Sequence, residues 1–339
     1  MKKTTKYILI IAVIAVAIGI FFTSRVIVAT AFFKNESKIF YLENECDVST
    51  LADLLYQDSI ISSTSQFLAL ASLKNFESAR PGRFQFMNSE SHNSIINKIR
   101  ARSQKPLLIK VEGVRSIQQL AGVLGAQLQA DSSQFISAFT STVILEKYGV
   151  QKEEVSSLIF PNTYEFYWTI SPEEFLEKMT TITDEYWTEE KIKKAEALKM
   201  TKAEVYTLAS IVKGETVTKS EAPKIAGLYL NRLRVNQALQ ADPTLTFENY
   251  NGSKARVKLS NADSNSRYNT YKNTGLPPGP VFFTEPIYLD AVLNAESHNY
   301  FYMCAQPRGT GLHDFARTFS EHGKYVSAYR KWQREANIN

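Results

Sequence analysis

The segment TKAEVYTLASIVKGET, residues 201–216, predicts an apolar helix that ends beside an acid. Gly214 can leave helical geometry at little cost, so the chain is expected to turn there. Glu215 then lies at the helix end, against the apolar side chains of Ile211 and Val212. Because burial disfavours the charged form of a carboxyl, we expect a raised pKa, as suits a proton donor at neutral pH. The competing interpretation is a surface Glu on a turn, which is the commoner fate of a single acid.

The chain on either side of this segment predicts mainly helices. A second helix begins near Ser220, with Glu221 in its first turn and Pro223 where a missing N–H is tolerated. The other predicted elements are the helices Ser116–Gln127, Ser132–Tyr148, Pro172–Thr188, Thr188–Leu198, Thr201–Val212, Tyr288–Glu296 and Ser320–Glu335, and the strand Tyr300–Ala305.

Residues 239–283 differ from their surroundings, because they are rich in Pro, Gly, Asn and Ser. So long an irregular segment inside a domain is usually functional. Asp242-Pro243 predicts an extended step within it. The Gly275–Gly279 loop is rigid and is either a plain connecting turn or the wall of a groove. Tyr268 and Tyr271 could stack on sugar rings, although aromatic side chains more often belong to a core.

Residues 37–105 predict a small α+β module ahead of these helices. Its signals are a strand at Ile39–Leu42, a helix capped by Ser49-Thr50, a strand at Arg83–Met87 after a Pro-Gly turn, and a helix at Ser94–Arg102. A strand at Leu107–Val111 opens the next domain. The predicted fold class is therefore α+β, with a small subdomain followed by a helix-rich domain over residues 106–339.

The N-terminus predicts a membrane anchor. A basic tail, residues 1–6, precedes an uncharged apolar run, residues 7–24, which falls within the roughly 17–25 residues that a spanning helix needs. A cleaved signal peptide would have a shorter apolar run, and its candidate exit at Ala29–Ala31 lies late, beyond Arg25. We expect one uncleaved helix in the cell (inner) membrane, with the tail in the cytoplasm and the rest on the outer (periplasmic) side.

Charge and composition weigh against two classes of partner. The 39 basic and 34 acidic residues are interspersed, whereas a nucleic-acid-binding protein concentrates its basic residues in one stripe. Cys46 and Cys304 have no metal or redox spacing, and two buried free thiols are favoured over a long-range disulfide. The four histidines lack the paired spacing of a zinc site. We predict no nucleic acid, no metal and no cofactor.

Several short motifs run from the Glu215 helix toward the C-terminus. Each is weak alone, but their order is specific. They are LASIVxxET (208–216), NRL (231–233), QxDPT (240–244), YNTY (268–271), GLPPGP (275–280) and GxHxF (311–315). In this order they resemble the endolytic murein transglycosylase family, also called YceG-like. FPNTY (160–164) resembles a further element of that family. The resemblance runs from about residue 37 to the end of the chain.

The resemblance implies two domains with different functions. Residues 37–105 are similar to a LysM-like subdomain, which binds glycan in other proteins, and residues 106–339 to a YceG-like catalytic domain. The catalytic acid of the family falls on Glu215. The positions that resemble the family's substrate-binding or supporting residues are Glu221, Asn231, Arg232, Gln240, Asp242, Thr244, Tyr268, Asn269, Tyr271, Leu276, Pro277, His313 and Phe315.

One position departs from the family pattern. Many members carry a second acid two residues before the catalytic one, where this chain has Lys213. A nearby cation would lower the pKa of Glu215, but residues two apart on a helix do not face each other, so a small effect is expected. One well-placed acid then remains. A hydrolysing glycosidase needs two carboxylates, whereas an intramolecular transfer needs one.

The resemblance therefore implies an endolytic peptidoglycan lytic transglycosylase. Such an enzyme would cleave the MurNAc–GlcNAc bond of nascent glycan strands, leave 1,6-anhydroMurNAc ends and so terminate strand elongation. Its partners would be the glycan strands, the cell membrane and peptidoglycan synthases. Two alternatives stay open from the residues alone: a glycan-binding protein without catalysis, and a membrane-tethered scaffold for cell-wall synthesis.

Overall fold

The computed structural model describes residues 35–248 and 265–336, together with Tyr7–Ile8 and Val13–Ile14. The predicted membrane anchor, residues 7–24, therefore lies outside the described residues except for those two pairs. No helix in the described part of the chain is long and apolar enough to cross a bilayer.

The chain divides into two compact units. The first ends at Ile109 and also takes in Gln127–Gln129 and Tyr164–Ile170, and the second comprises the rest from Lys110 onward. The described residues form a mixed α+β fold with more helix than strand, which confirms the predicted class.

The first unit is built on an antiparallel strand pair, in which Ser37 lies opposite Met87 and Leu42 opposite Gly82. Its elements in chain order are β1 (Ser37–Leu42), β2 (Cys46–Asp47), α1 (Val48–Gln57), α2 (Thr64–Leu73), β3 (Ser78–Ala79), β4 (Gly82–Met87), α3 (His92–Arg100), and the paired strands β5 (Leu107–Lys110) and β6 (Thr163–Phe166). Alternation along β4 buries Phe84 and Phe86 in the core of this unit.

Two details of this unit differ from the prediction. The cap of α1 is Asp47 rather than Ser49-Thr50, and its carboxylate accepts a 2.7 Å hydrogen bond from the Thr50 N–H. Helix α2 was not predicted. Its sequence, TSQFLALASL, is apolar or small on nearly every face, so it lacks the periodicity that identifies a helix at a surface.

The second unit contains most of the helices. Its elements are α4 (Ile117–Gly125), α5 (Ser132–Thr140), α6 (Thr142–Glu146), a 3₁₀ helix (Lys152–Leu158), α7 (Pro172–Tyr186), α8 (Glu189–Ala197), α9 (Lys202–Glu215), α10 (Ala222–Arg234), α11 (Asp242–Glu248), α12 (Pro286–Leu293), β7 (Tyr302–Ala305), β8 (His313–Ala316) and α13 (Phe319–Glu335).

Helix α9 lies at the centre of the second unit's core. Its residues from Val205 to Val212 are all buried, and α10 and α12 pack against it. Its few polar side chains hold neighbouring loops: the Tyr206 hydroxyl donates to the Ile159 carbonyl at 2.8 Å, and the Ser210 hydroxyl accepts from the Val281 N–H at 3.0 Å. An enclosed helix with its polar groups bonded gives the unit a rigid centre.

Three predictions for the second unit were wrong in part. The helix predicted at Ser132–Tyr148 is broken at Ser141, whose extended backbone ends α5 and whose side chain caps α6. The Asp242-Pro243 step is not extended, because Pro243 occupies the first turn of α11, where proline is tolerated. The strand near Tyr300 begins at Tyr302 and is one half of a hairpin whose second strand, β8, was not predicted.

Candidate active site

A cavity of about 330 Å³ opens beside the C-terminal end of α9. We call it the Glu215 cavity. Its lining residues are Glu215, Leu228, Tyr229, Arg232, Gln240, Asp242, Tyr271, Tyr302, Met303, Cys304, Ala305, His313, Phe319 and His322. One wall comes from α9, α10 and the start of α11, and the other from the β7–β8 hairpin and α13. Six predicted residues belong to this set: Glu215, Arg232, Gln240, Asp242, Tyr271 and His313. A seventh, Glu221, lies outside the lining and is bonded to His313.

Glu215 is the last residue of α9 and is half-buried in the cavity wall. Its Oε1 atom accepts a 2.8 Å hydrogen bond from the Tyr229 hydroxyl. Burial raises the pKa of the Glu215 carboxyl to about 7, the hydrogen bond from Tyr229 opposes this rise, and the charge of Asp242 adds to it. Arg232 acts weakly in the lowering direction. The expected rise in pKa is confirmed, and its main cause is the loss of hydration.

Gly214 has a different role from the predicted one. It lies within the last turn of α9 and does not break the helix. A Cβ atom at this position would approach within 2.5 Å of Pro243 Cγ and 2.8 Å of Phe282 Cε2. Glycine is therefore required for close packing, since it lets the start of α11 lie directly against α9. This approach brings Asp242 into the same cavity as Glu215.

Asp242 is a second acidic residue in the lining of the Glu215 cavity. Its exposed carboxylate lines the cavity, and its Oδ1 atom accepts a 2.5 Å hydrogen bond from the Tyr271 hydroxyl. Burial, together with the bond to Asp242, raises the pKa of Tyr271 above its ordinary value, so that hydroxyl stays a donor. The inference that Glu215 is the one well-placed acid was wrong, because α11 carries a second carboxylate into the cavity.

Arg232 joins the two walls of the cavity. The guanidinium is buried, and Nε donates to the Phe301 carbonyl at 2.7 Å, just before β7, while Nη1 donates to the Leu239 carbonyl. The same group lies 5.5 Å from the centre of the Tyr302 ring. Burial lowers the pKa of this guanidinium, and neighbouring tyrosines and Glu215 oppose that effect. Arg232 therefore holds the hairpin against α10 and places a cation near Glu215.

His313 reaches the cavity from β8 and is held by Glu221. The Glu221 carboxylate is buried and accepts two 2.8 Å hydrogen bonds from His313, one from the backbone N–H and one at Nδ1 of the ring. A third contact, from the Thr218 hydroxyl to the Gly311 carbonyl at 3.3 Å, fixes the turn that precedes β8. The segment after Glu215 and the hairpin are thus joined next to the cavity.

The other predicted site residues lie outside the Glu215 cavity. Asn231 donates to the carbonyls of His298 and Tyr300, at 2.8 and 3.0 Å, and so supports the hairpin. Thr244 and Asn269 are fully buried in the packing of α11 and of the 265–285 segment. Leu276, Pro277 and Phe315 belong to the apolar surroundings of the core.

Tyr268 is separated from Tyr271, although both stand in the YNTY motif. Its ring packs on Phe247, with ring centres 4.8 Å apart, and it lines a second cavity of about 150 Å³ together with Phe282. Of the two tyrosines considered for stacking on sugar rings, only Tyr271 lines the Glu215 cavity.

Lys213 is bonded on the side away from Glu215. Its ammonium group forms an ion pair with Glu285 at 2.7 Å and donates to the Phe283 carbonyl, also at 2.7 Å. The charges that act on Glu215 are those of Asp242 and Arg232 instead. The expectation of a small effect from Lys213 agrees with this arrangement.

Sequence reasoning missed Tyr229 and most of the hairpin wall. Tyr229 precedes Arg232 by three residues on α10, so the two share a helix face, and that spacing could have identified it. For Tyr302–Ala305, Phe319 and His322 we find no such signal, because their place in the cavity depends on the pairing of β7 with β8.

Cys46 and Cys304 are both free and half-buried. In the described ranges, no three His, Cys, Asp or Glu side chains come together in a way that could hold a metal ion.

Comparison with known proteins places this geometry in a family context. The profile of the YceG-like family matches residues 40–328. A curated Bacillus subtilis protein named endolytic murein transglycosylase is 26% identical over 298 residues, which cover 83% of this chain and 82% of that protein. A Streptococcus pneumoniae protein of the same name is 24% identical over 299 residues, and the match covers 78% of this chain but about half, 53%, of that longer protein.

A solved structure has a similar fold. The crystal structure of a yceG-like protein from Listeria monocytogenes superposes with a TM-score of 0.57 at 23% sequence identity, covering 85% of this chain and 98% of that one. At this identity the likeness concerns the fold alone.

Proposed function

Because this chain belongs to the YceG-like family, we propose that it is an endolytic peptidoglycan lytic transglycosylase. It cleaves the bond between N-acetylmuramic acid and N-acetylglucosamine and leaves 1,6-anhydromuramyl ends. The observation that carries this proposal is Glu215, a carboxyl with a pKa of about 7 in the wall of a 330 Å³ cavity. At neutral pH such a group exists in both protonation states, as an acid that must later act as a base requires.

The proposed reaction uses Glu215 twice. Its carboxyl proton passes to the glycosidic oxygen as the bond from that oxygen to the muramyl C1 breaks. The C6 hydroxyl oxygen of the same muramyl residue then forms a bond to C1, and its proton passes to the Glu215 carboxylate. The acid is regenerated, and neither water nor a cofactor is consumed.

Asp242 supports this reaction electrostatically. Its charge helps to raise the pKa of Glu215, which keeps the acid protonated before the reaction. The same charge, held beside the cavity by Tyr271, stabilises positive charge that develops at C1. Two carboxylates also serve a hydrolase that activates water. The two reactions differ in their products, since only the transfer gives anhydro ends.

Mass spectrometry of digested glycan strands tests the proposal. The wild-type chain is expected to release fragments with anhydro ends and internal cuts. Glu215→Gln removes the proton donor and should lower the rate by about 10³-fold, within the range for loss of a general acid. Hydrated ends would indicate hydrolysis, and wall binding without any cleavage would indicate a glycan-binding protein or scaffold.

The thermal stability of the Glu215→Gln variant gives a separate test of the raised pKa of Glu215. The proton on Glu215 is held more tightly in the folded chain, with a pKa of about 7 against the ordinary 4.5. The wild-type chain therefore loses stability as pH rises through this window, by at most about 3 kcal/mol. Above pH 7 the glutamine variant should unfold at a higher temperature than the wild type. Glu177→Gln, on the exposed face of α7, should show no such gain.

We further propose that residues 7–24 anchor the protein in the cell membrane, with the enzyme on the outer side, where glycan strands lie. The apolar run and its basic tail support this proposal. The full-length chain should then require detergent for extraction and be digested by protease added from outside. Extraction by salt alone would contradict it.

Two roles follow from the family resemblance. The first unit is proposed as a LysM-like glycan-binding module, and the enzyme is proposed to terminate elongation of new strands beside peptidoglycan synthases. Glycan chain length in cells that carry the wild-type or Glu215→Gln chain measures the second role, and longer strands in the variant would support it.

A further inference from the structure

At the wall of the Glu215 cavity, a half-buried His313 is paired with a buried Glu221, and the proposed acid–base steps do not use this pair. The ring of His313 lines the cavity, while its Nδ1 atom and its backbone N–H both meet the Glu221 carboxylate at 2.8 Å. A carboxylate accepts hydrogen bonds and does not donate them, so Nδ1 must carry a proton. The structure places no bonding partner for Nε2 among residues 35–248 and 265–336.

We propose that Glu221 fixes His313 as the Nδ1–H tautomer, so that Nε2 offers a hydrogen-bond acceptor to the bound substrate. This inference rests on the proposed function, since the substrate class comes from it. His313 is the residue that contacts the substrate, and Glu221 is a positioning residue that acts through it.

The other polar groups of the cavity indicate what the ligand must offer. The hydroxyls of Tyr229 and Tyr271 already donate to Glu215 and Asp242, and Arg232 is bonded to backbone carbonyls. Gln240, Tyr302 and His322 also line the cavity and can donate or accept, whereas the carboxylate oxygens and the His313 Nε2 can only accept. A ligand that matches this set donates hydrogen bonds, as sugar hydroxyls and the acetamido N–H of an N-acetylated sugar do. The pair therefore selects a donor group on an amino-sugar residue.

The chain contains its own reference for tautomer measurements. His298 has the opposite arrangement, because its Nε2 atom donates to the Lys224 carbonyl at 2.8 Å and its Nδ1 atom accepts from the Tyr300 N–H at 3.1 Å. Nitrogen-15 NMR of the histidine rings separates the two tautomers and the doubly protonated form. With four histidines in the chain, each ring can be assigned by substitution.

The experiment uses the full chain with Glu215→Gln, so that a bound glycan is not cleaved, at a pH above the ordinary histidine pKa of about 6.5. His313 is expected as Nδ1–H and His298 as Nε2–H. Glu221→Gln then presents its amide N–H₂ to Nδ1, since its oxygen is needed by the backbone N–H, and should convert His313 to Nε2–H. His298 should not change.

Binding of a tetrasaccharide of two GlcNAc–MurNAc repeats supplies the second measurement. It should shift the Nε2 resonance of His313, and Glu221→Gln should weaken this binding about tenfold or more, because the ring then presents a donor to a donor. Two replacements of His313 itself separate its two contacts. His313→Gln keeps an amide oxygen near the Nε2 position, whereas His313→Asn keeps only the contact with Glu221. The first should therefore retain more affinity for the tetrasaccharide than the second.

The outcomes separate this inference from the proposed function. An Nε2–H or doubly protonated His313 in the parent chain, an unchanged tautomer in Glu221→Gln, or an Nε2 resonance that ignores the tetrasaccharide would each overturn it. None of these measurements depends on cleavage, so an error in the role of Glu215 would leave them interpretable.

Discussion

The two walls of the Glu215 cavity are built in different ways. The helical wall, from α9 and α10, is anchored in the core and carries Glu215 and its hydrogen-bond donor Tyr229. The hairpin wall, from β7 and β8, has few fully buried residues and is held through polar contacts to Arg232, Asn231 and Glu221. Glu215 is thus positioned by apolar packing, whereas the groups of the hairpin wall opposite it are positioned by hydrogen bonds.

Arg232→Met breaks the connection between the walls and has the largest expected effect on stability. The substitution keeps the bulk of the side chain but leaves the Phe301 and Leu239 carbonyls without their donor. We expect a loss of about 2–4 kcal/mol in the free energy of unfolding. Denaturant unfolding measures it.

Arg234→Met is the matched control, since Arg234 is exposed on the same helix and its bond within the described part of the chain is to the Asn231 side chain. It should cost less than about 1 kcal/mol. Equal losses in the two variants would contradict the role assigned to Arg232.

Gly214→Ala tests the helical wall itself. A methyl group here collides with Pro243 and Phe282, so α11 must move away from α9 and take Asp242 with it. We expect a loss of about 1–3 kcal/mol in unfolding free energy and reduced glycan cleavage.

Gly122→Ala provides the comparison for that variant. Gly122 also lies in a helix, α4, but in residues 35–248 and 265–336 no atom outside that helix would come within 4 Å of a Cβ atom there. Alanine should be neutral or stabilise the chain by roughly 0.5–1 kcal/mol, because it favours the helix. A similar loss in both variants would show that the close approach at Gly214 is not decisive.

Tyr229→Phe tests what sets the pKa of Glu215 and has the smallest expected effect of these variants. The Tyr229 hydroxyl bonds Oε1 of Glu215 and so favours its charged form. Without it the pKa of Glu215 should rise further above 7. Because the acid must be protonated to act, the decline of kcat/KM at alkaline pH should move to higher pH.

Tyr268→Phe is the control, because it removes a hydroxyl from a ring that does not line the Glu215 cavity. The decline of kcat/KM at alkaline pH should stay where it is in the wild type. If the pH dependence of kcat/KM is the same for Tyr229→Phe and the wild type, a group other than Glu215 controls the decline at alkaline pH.

The sequence predicted the helical wall better than the hairpin wall, for a physical reason. The helix that carries Glu215 follows from local apolar content and a start at Thr201, where the Thr201 hydroxyl accepts a 3.1 Å bond from the Glu204 N–H. The second helix has Pro223 in its first turn as predicted, but it begins at Ala222, so Glu221 precedes it in a 3₁₀ turn. Strand β8 has four residues and exists because it pairs with β7, a contact between residues that local signals do not encode.

The position of Asp242 shows the same limit. Its motif was recognised, but the residues around it predicted an extended step, and the tertiary contact of Pro243 with Gly214 makes that step the start of a helix instead. The second carboxylate in the cavity is a result of that contact. Counting acids along the sequence could not reveal it.

By itself the sequence determined the fold class and the family and predicted Glu215 as the acid, because ordered motifs and helical patterns are properties of the linear chain. The tertiary structure decided which of the predicted residues meet. It separated Tyr268 from Tyr271, gave Asn231 a supporting role, and joined Glu221 to His313 across 92 positions of the chain. The pKa of Glu215 also belongs to the tertiary structure, since loss of hydration depends on every element packed around the carboxyl.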